Sequence, residues 1–88
     1  MALISMFYGL VIYIYLEKTQ HHLPHIHVKY QDENAVFSLP DGRLLEGSLQ
    51  SSKQKLIQAW IEIHSEELLA DWGLAQSGLP VFKIEPLK

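Results

Sequence analysis

The chain has no cysteine among its 88 residues. Disulfides, thiolate zinc sites and a thiol nucleophile are thereby excluded, and a small fold without such staples suits a reducing cytoplasm. Positive charge is also scarce: seven Lys plus Arg stand against ten Asp plus Glu, a net charge of −3 with neutral histidines. Because phosphate neutralisation supplies much of nucleic-acid affinity, generic nucleic-acid binding along a basic stripe is disfavoured. The basic residues are scattered over Lys18, Lys29, Arg43, Lys53, Lys55, Lys83 and Lys88. A local basic face stays open at Lys29, whose neighbours are histidines that charge below about pH 6.5. A long apolar run is missing too. The longest, in "MALISMFYGLVIYIYLEK", gives about fifteen residues before Glu17 and Lys18, short of the ~20 that a membrane-spanning helix needs. The same stretch has no positive n-region and no small-residue cleavage site. A soluble, cytoplasmic protein without a membrane partner is expected.

What is present is a 48% hydrophobic chain, enough for one core and one domain over residues 1–88. A chain this short buries only about 60–65% of the surface its unfolded form exposes, so its stability margin is thin.

The first half reads as strands. Ile4 to Leu16, rich in Ile, Val and Tyr, predicts one long central strand, with Gly9 marking a bulge or bend. "TQHHLP" connects it to the next, and Pro24 biases Leu23 towards an extended backbone. "HIHVKY" alternates with period two: Ile26, Val28 and Tyr30 point one way, and His25, His27 and Lys29 the other. "QDEN" makes a turn, "AVFSL" returns as a strand, and "PDG" at Pro40–Gly42 is a strong turn signal. Arg43 to Leu49 supplies the next strand.

The period then changes to 3.6. Ser51 with Gln54 forms a candidate capping box, and Leu56, Ile57, Trp60, Ile61 and Ile63 make a wide apolar stripe. Ser65 with Glu66 and Glu67 resembles a second helix start. The spacing predicts two helices with a kink or short break near His64, or else one long bent helix, ended by Gly78 and Pro80. "PVFKIEPL" predicts a short C-terminal edge strand. The fold class is therefore α+β: an antiparallel sheet of four to five strands with a helical pair on one face.

"QHHLPHIHV" places four of the five histidines within residues 20–28. Three accounts compete. His-x-His is a recurrent ligand pair, so His25 and His27 could hold a metal with His21, His22, Glu33 or Glu46, although no strict zinc signature is present. Paired histidines can also cleave RNA, one taking a proton while the other gives one, with Tyr13, Tyr15, Tyr30 or Lys29 holding the phosphate. The plain account is that His and Lys decorate the polar side of a half-buried strand or dock a partner. Apart from the metal, the residues single out no cofactor. His64 at the helix junction suits a helix C-terminal dipole, and Trp60 and Trp72 belong to the core. Glu62, Glu66, Glu67 and Asp71 read as a solvated acidic face, leaving the sheet side for any nucleic acid.

Together "ISMFYG", "HHLPHIHVKY", "DGRLLEGSL", "LIQAWIEIHSEELLADW" and "FKIEPL" resemble, over essentially the whole chain, the small bacterial domain-of-unknown-function family numbered four-one-six-zero. The resemblance implies a partner, a short protein encoded alongside, in a pair that looks like a toxin and antitoxin with this chain the toxin-like half. The family's Pro-His-x-His falls on Pro24, His25, Ile26 and His27, with His21 before it. The strand reading and this motif together make His21, His25, His27 and Lys29 the candidate catalytic residues and, on the metal account, His21, His25 and His27 the candidate ligands; the resemblance itself implies little about activity. Gln50 stands where proline is frequent, and Gly73 where a bulkier residue is usual.

Overall fold

A computed structural model describes residues 2–15 and 23–87. Five strands, β1 (Ala2–Phe7), β2 (Leu10–Ile14), β3 (His25–Tyr30), β4 (Glu33–Ser38) and β5 (Leu44–Gly47), precede two helices, α1 (Ser51–Ile63) and α2 (Ser65–Gln76). The strands form one antiparallel sheet in the order β1-β2-β3-β4-β5. Every neighbour in the sheet is thus a neighbour in sequence, and the predicted α+β class holds.

The predicted long strand over Ile4–Leu16 is instead a hairpin, with β1 and β2 antiparallel and Phe7 opposite Leu10. The two residues between them, Tyr8 and Gly9, have φ of 50° and 80°. Two successive positive φ values are the signature of a two-residue hairpin turn whose twist matches the strands. A tyrosine in the left-handed region carries no sequence signal, which is why the apolar run reads as continuous. β3, not the N-terminal segment, is the central strand. A Cβ added at Gly9 would sit 3.1 Å from Cε1 of Tyr30. Gly9→Ala is therefore expected to destabilise the fold by about 1–2 kcal/mol, the usual cost of a side chain in that conformation, measured as a shift in the urea midpoint with an unchanged m-value.

Alternation decides which side of the sheet is covered. Ile12 and Ile14 of β2, Ile26 and Val28 of β3, and Ala35 and Phe37 of β4 are buried against Ile57, Trp60 and Ile61 of α1 and Leu68 and Ala75 of α2. Each Ile, Val, Leu or Phe among them contributes roughly 1.5–3 kcal/mol of transfer free energy. Tyr30 packs against this cluster as its parity requires, and Lys29 is exposed.

Three further local expectations are corrected. No capping box forms: Gln50 is the N-cap of α1 without a side-chain cap bond, and the Gln50 N–H donates to Oε1 of Glu33 at 2.8 Å. An acceptor at the start of β4 replaces the local one. β5 stops at Gly47, where the Asn34 carbonyl would lie 2.0 Å from a Cβ, so the chain turns away before Leu49. The C-terminal "PVFKIEPL" is not a strand. It crosses the molecule as an extended strap, tied by Ile84 N–H to Ile4 C=O at 2.8 Å, Trp60 Nε1–H to Glu85 C=O at 2.9 Å and Phe82 N–H to Asp71 Oδ1 at 3.0 Å.

The helix break at His64 is where it was expected. His64 closes α1 with its N–H on the Trp60 carbonyl and opens α2, while its Nδ1 lies 2.6 Å from Glu67 Oε1. Asp71, expected among the solvated acids, is buried at 2% exposure, whereas Glu62, Glu66 and Glu67 are exposed. Asp71 is turned inwards because it holds the strap. Its Oδ2 is buried with no hydrogen-bond partner among the described residues, and burial first, then the neighbouring Glu67 charge, push its carboxyl above the ordinary value. An acid raised in the fold binds more protons folded than unfolded, so stability falls as pH rises from about 3.9, the unfolded value, through the raised one. Asp71→Asn keeps an acceptor for Phe82 and removes the buried charge. It is expected to abolish that pH dependence with no loss of stability at neutral pH, whereas Asp71→Ala should cost about 1–3 kcal/mol by orphaning the Phe82 N–H. Thermal melts of the three proteins from pH 3 to 8 check both.

Candidate functional site

β3 is the central strand of the five and is hydrogen-bonded on both sides, to β2 and to β4. Residues i and i+2 of a strand share a face, so His25, His27 and Lys29 line up along β3 on the side away from the core. Sheet register adds their neighbours. Tyr13 lies opposite His27 on one side and Val36 on the other. Leu3 continues the row beyond Tyr13, and Glu46 beyond Val36. One row, Leu3–Tyr13–His27–Val36–Glu46, therefore crosses all five strands. Lys29 stands in the next row, between Val11 and Asn34.

The rings on this face are in contact. His27 stacks on Tyr13, with centroids 5.4 Å apart and planes at 17°, and meets Tyr15 edge-on at 4.5 Å. His25 meets His27 at 5.2 Å, and Tyr13 meets Tyr15 at 5.7 Å, both edge-to-face. Aromatic pairs at such separations add roughly 0.5–1.5 kcal/mol beyond burial, enough to hold the imidazoles in place. Burial first, then Tyr15, raises the Tyr13 hydroxyl above its ordinary value, keeping it a donor at neutral pH.

His25 is anchored at both ends. Its Nδ1 lies 2.7 Å from the Leu23 carbonyl. A carbonyl only accepts, so Nδ1 donates, and Nε2 becomes the acceptor nitrogen of the neutral ring. Its ring also contacts Trp72 of α2, at 4.8 Å. There, at the first residue of β3, the outward row meets the helical layer.

The expected site residues divide accordingly. His25, His27 and Lys29 are brought to one face, and Tyr13 and Tyr15 join them. Tyr30 does not: it sits on the covered side, where its ring lies 5.3 Å from the Lys53 ammonium. His21 and His22 lie outside the described residues. Among the described residues, no group of three or more His, Asp or Glu side chains is arranged to hold a metal ion. Sequence reasoning missed Asn34 and Val36 as parts of this face. Their signal is the β3–β4 turn, since Lys29 opposite Asn34 fixes His27 opposite Val36.

The family model described as a domain of unknown function (DUF4160) matches residues 9–73. The chain belongs to this family. The match includes β2 to β5, α1 and most of α2, and with them Tyr13, Tyr15, His25, His27, Lys29, Val36 and Glu46 of the histidine face, but not Leu3 or Met6 of β1. No curated protein and no solved structure matches the chain. No helix among the described residues is long and apolar enough to cross a membrane.

Proposed function

We propose that this member of the DUF4160 family is the toxin-like half of a two-protein module, and that it acts on RNA through the outward face of its sheet. The observation that carries the reading is the His25–His27 pair, rings 5.2 Å apart on the central strand and framed by Tyr13, Tyr15 and Lys29. Acid/base groups work best when held on a rigid element by packed neighbours, as these are. In the reaction, a ribose 2′-oxygen attacks the adjacent phosphorus while one imidazole takes the hydroxyl proton. The bond to the 5′-oxygen breaks, and the other imidazole, protonated, delivers a proton to that leaving oxygen. The products are a 2′,3′-cyclic phosphate and a 5′-hydroxyl, with one proton taken and one given. His25, with Nε2 as its acceptor nitrogen, is suited to the base role; His27, between two tyrosines, takes the acid role.

The acidic balance of the chain weighs less against RNA than composition alone implies. Glu62, Glu66 and Glu67 lie on α1 and α2, which cover the opposite side of the sheet, whereas Lys29 and both histidines share the outward side. A second reading, docking of a partner protein without chemistry, draws on the exposed Leu3, Met6 and Tyr15 on that side, at 37%, 58% and 41% exposure. Expression with and without the protein encoded alongside, scored as growth, together with incubation of the pure protein with RNA, separates them. RNA cleavage and growth inhibition that the neighbour relieves support the first reading. Tight co-purification with no inhibition and no cleavage supports the second.

A further inference from the structure

Beside the histidine pair the outward face holds a cleft of about 240 Å³, lined by Tyr13, His27, Asn34, Val36 and Glu46 together with backbone of Ala35 and Gly47. Register sets its width. His27, Val36 and Glu46 are consecutive in one row over three adjacent strands. Strands lie about 4.8 Å apart, so the imidazole and the carboxylate flank a floor roughly 10 Å across with the small Val36 at its centre. Beside Glu46, Gly47 (φ 77°) contributes only backbone to the β5 wall.

We propose that this cleft seats one unpaired RNA base, a guanine, next to the phosphodiester handled by His25 and His27; the inference rests on the RNA reading above. The volume is below the roughly 300–1,000 Å³ of sites that enclose a whole ligand. It takes one planar ring system and leaves sugar and phosphate outside. The Tyr13–His27 stack supplies an aromatic wall, the element by which sheet faces hold splayed bases. Glu46 selects among the bases. An ionised carboxylate only accepts, so the edge facing it must carry two neighbouring donors. Guanine offers N1–H and the N2 amino group side by side, a match to both carboxylate oxygens, and charge-assisted pairs of this geometry are the strong ones. Uracil has one N–H between two carbonyls, and adenine and cytosine each place an acceptor nitrogen beside their amino group. A protein arginine would also fit a carboxylate and an aromatic wall. Lys29, and the histidines once protonated, disfavour that cation and favour the phosphate that accompanies a base.

The experiment is a titration of the full chain, wild type and Glu46→Gln, with the four ribonucleoside 5′-monophosphates and with arginine amide, followed by amide NMR shifts. In wild type, guanosine monophosphate should move the Val36, Glu46 and Gly47 amides. It should bind about tenfold to a hundredfold tighter than the other three, the discrimination of one bidentate contact. Glu46→Gln should keep its spectrum and melting temperature, because Glu46 is exposed, and lose that preference. Equal binding of all four nucleotides, shifts that map elsewhere, or preference for arginine amide would overturn the seat. If RNA is cut through His25 and His27 without regard to guanine, the base seat is wrong while the RNA reading stands. If guanosine monophosphate occupies the cleft but folded protein lacking both histidines still inhibits growth, the seat stands and the acid/base reading falls.

Discussion

His27→Ala is expected to lower RNA cleavage by roughly 10²–10⁴-fold, the usual consequence of losing one acid or base, and to relieve growth inhibition. The fold should survive. His27 is half-buried on the outward side of β3, where its ring touches Tyr13, Tyr15 and His25. Truncating it removes ring contacts worth about 0.5–1.5 kcal/mol each, not a core side chain. His25→Ala should be equally damaging to the reaction for a different reason: it removes the imidazole that Leu23 holds in one tautomer. If the two act as one unit, the double variant will be little worse than either single one, because effects within a catalytic unit are strongly non-additive. Circular dichroism and a thermal melt establish that each variant is folded before activity is compared. Folded double variant that cuts RNA and inhibits growth like wild type would end the acid/base account.

The part of this site that was legible in the sequence is the part that one strand's own period determines. "HIHVKY" carries enough information to put His25 and His27 on the side opposite Ile26 and Val28, and that side is where they are. The helical stripe of Leu56, Ile57, Trp60 and Ile61 was legible for the same reason, although Ile63, read into that stripe, is exposed at the end of α1; so was the break that Ser65, Glu66 and Glu67 announce after His64. What pairs with what across strands was not. The Tyr8–Gly9 turn has a tyrosine at a position where Asn, Asp or Gly would signal it, so the β1–β2 hairpin read as a single strand. Without that hairpin the Leu3–Tyr13 pairing is invisible, and so is the row that Tyr13 and His27 belong to. Asp71 shows the same limit on the helical side. In sequence it continues an acidic face; in the fold it turns inwards because the Phe82 N–H needs an acceptor.

Trp60→Ala should have the largest effect on stability, about 3–5 kcal/mol, the range for removing a buried aromatic side chain from a core. Trp60 is fully buried and sits against Phe7 of β1, ring centroids 5.4 Å apart. It is also a polar anchor, since its Nε1–H donates to the Glu85 carbonyl. One side chain thus joins the edge of the sheet, α1 and the C-terminal strap. A domain of this size has only about 5–15 kcal/mol of stability to lose, so the variant should be largely unfolded at 37 °C in cells and inactive for that reason alone. Trp60→Phe separates the two contributions. It keeps most of the ring in the cavity but gives up the donor, at a cost of about 0.5–1.5 kcal/mol, the net worth of one hydrogen bond. If the strap is held chiefly by that bond, Trp60→Phe will speed hydrogen exchange at the Phe82 and Ile84 amides, both of which donate within the strap's ties, while the β3 amides stay protected. The histidine face would then remain assembled, and Trp60→Phe should retain RNA cleavage where His27→Ala does not. Loss of cleavage in folded Trp60→Phe, with β3 still protected, would instead mean that the strap contributes to the working surface.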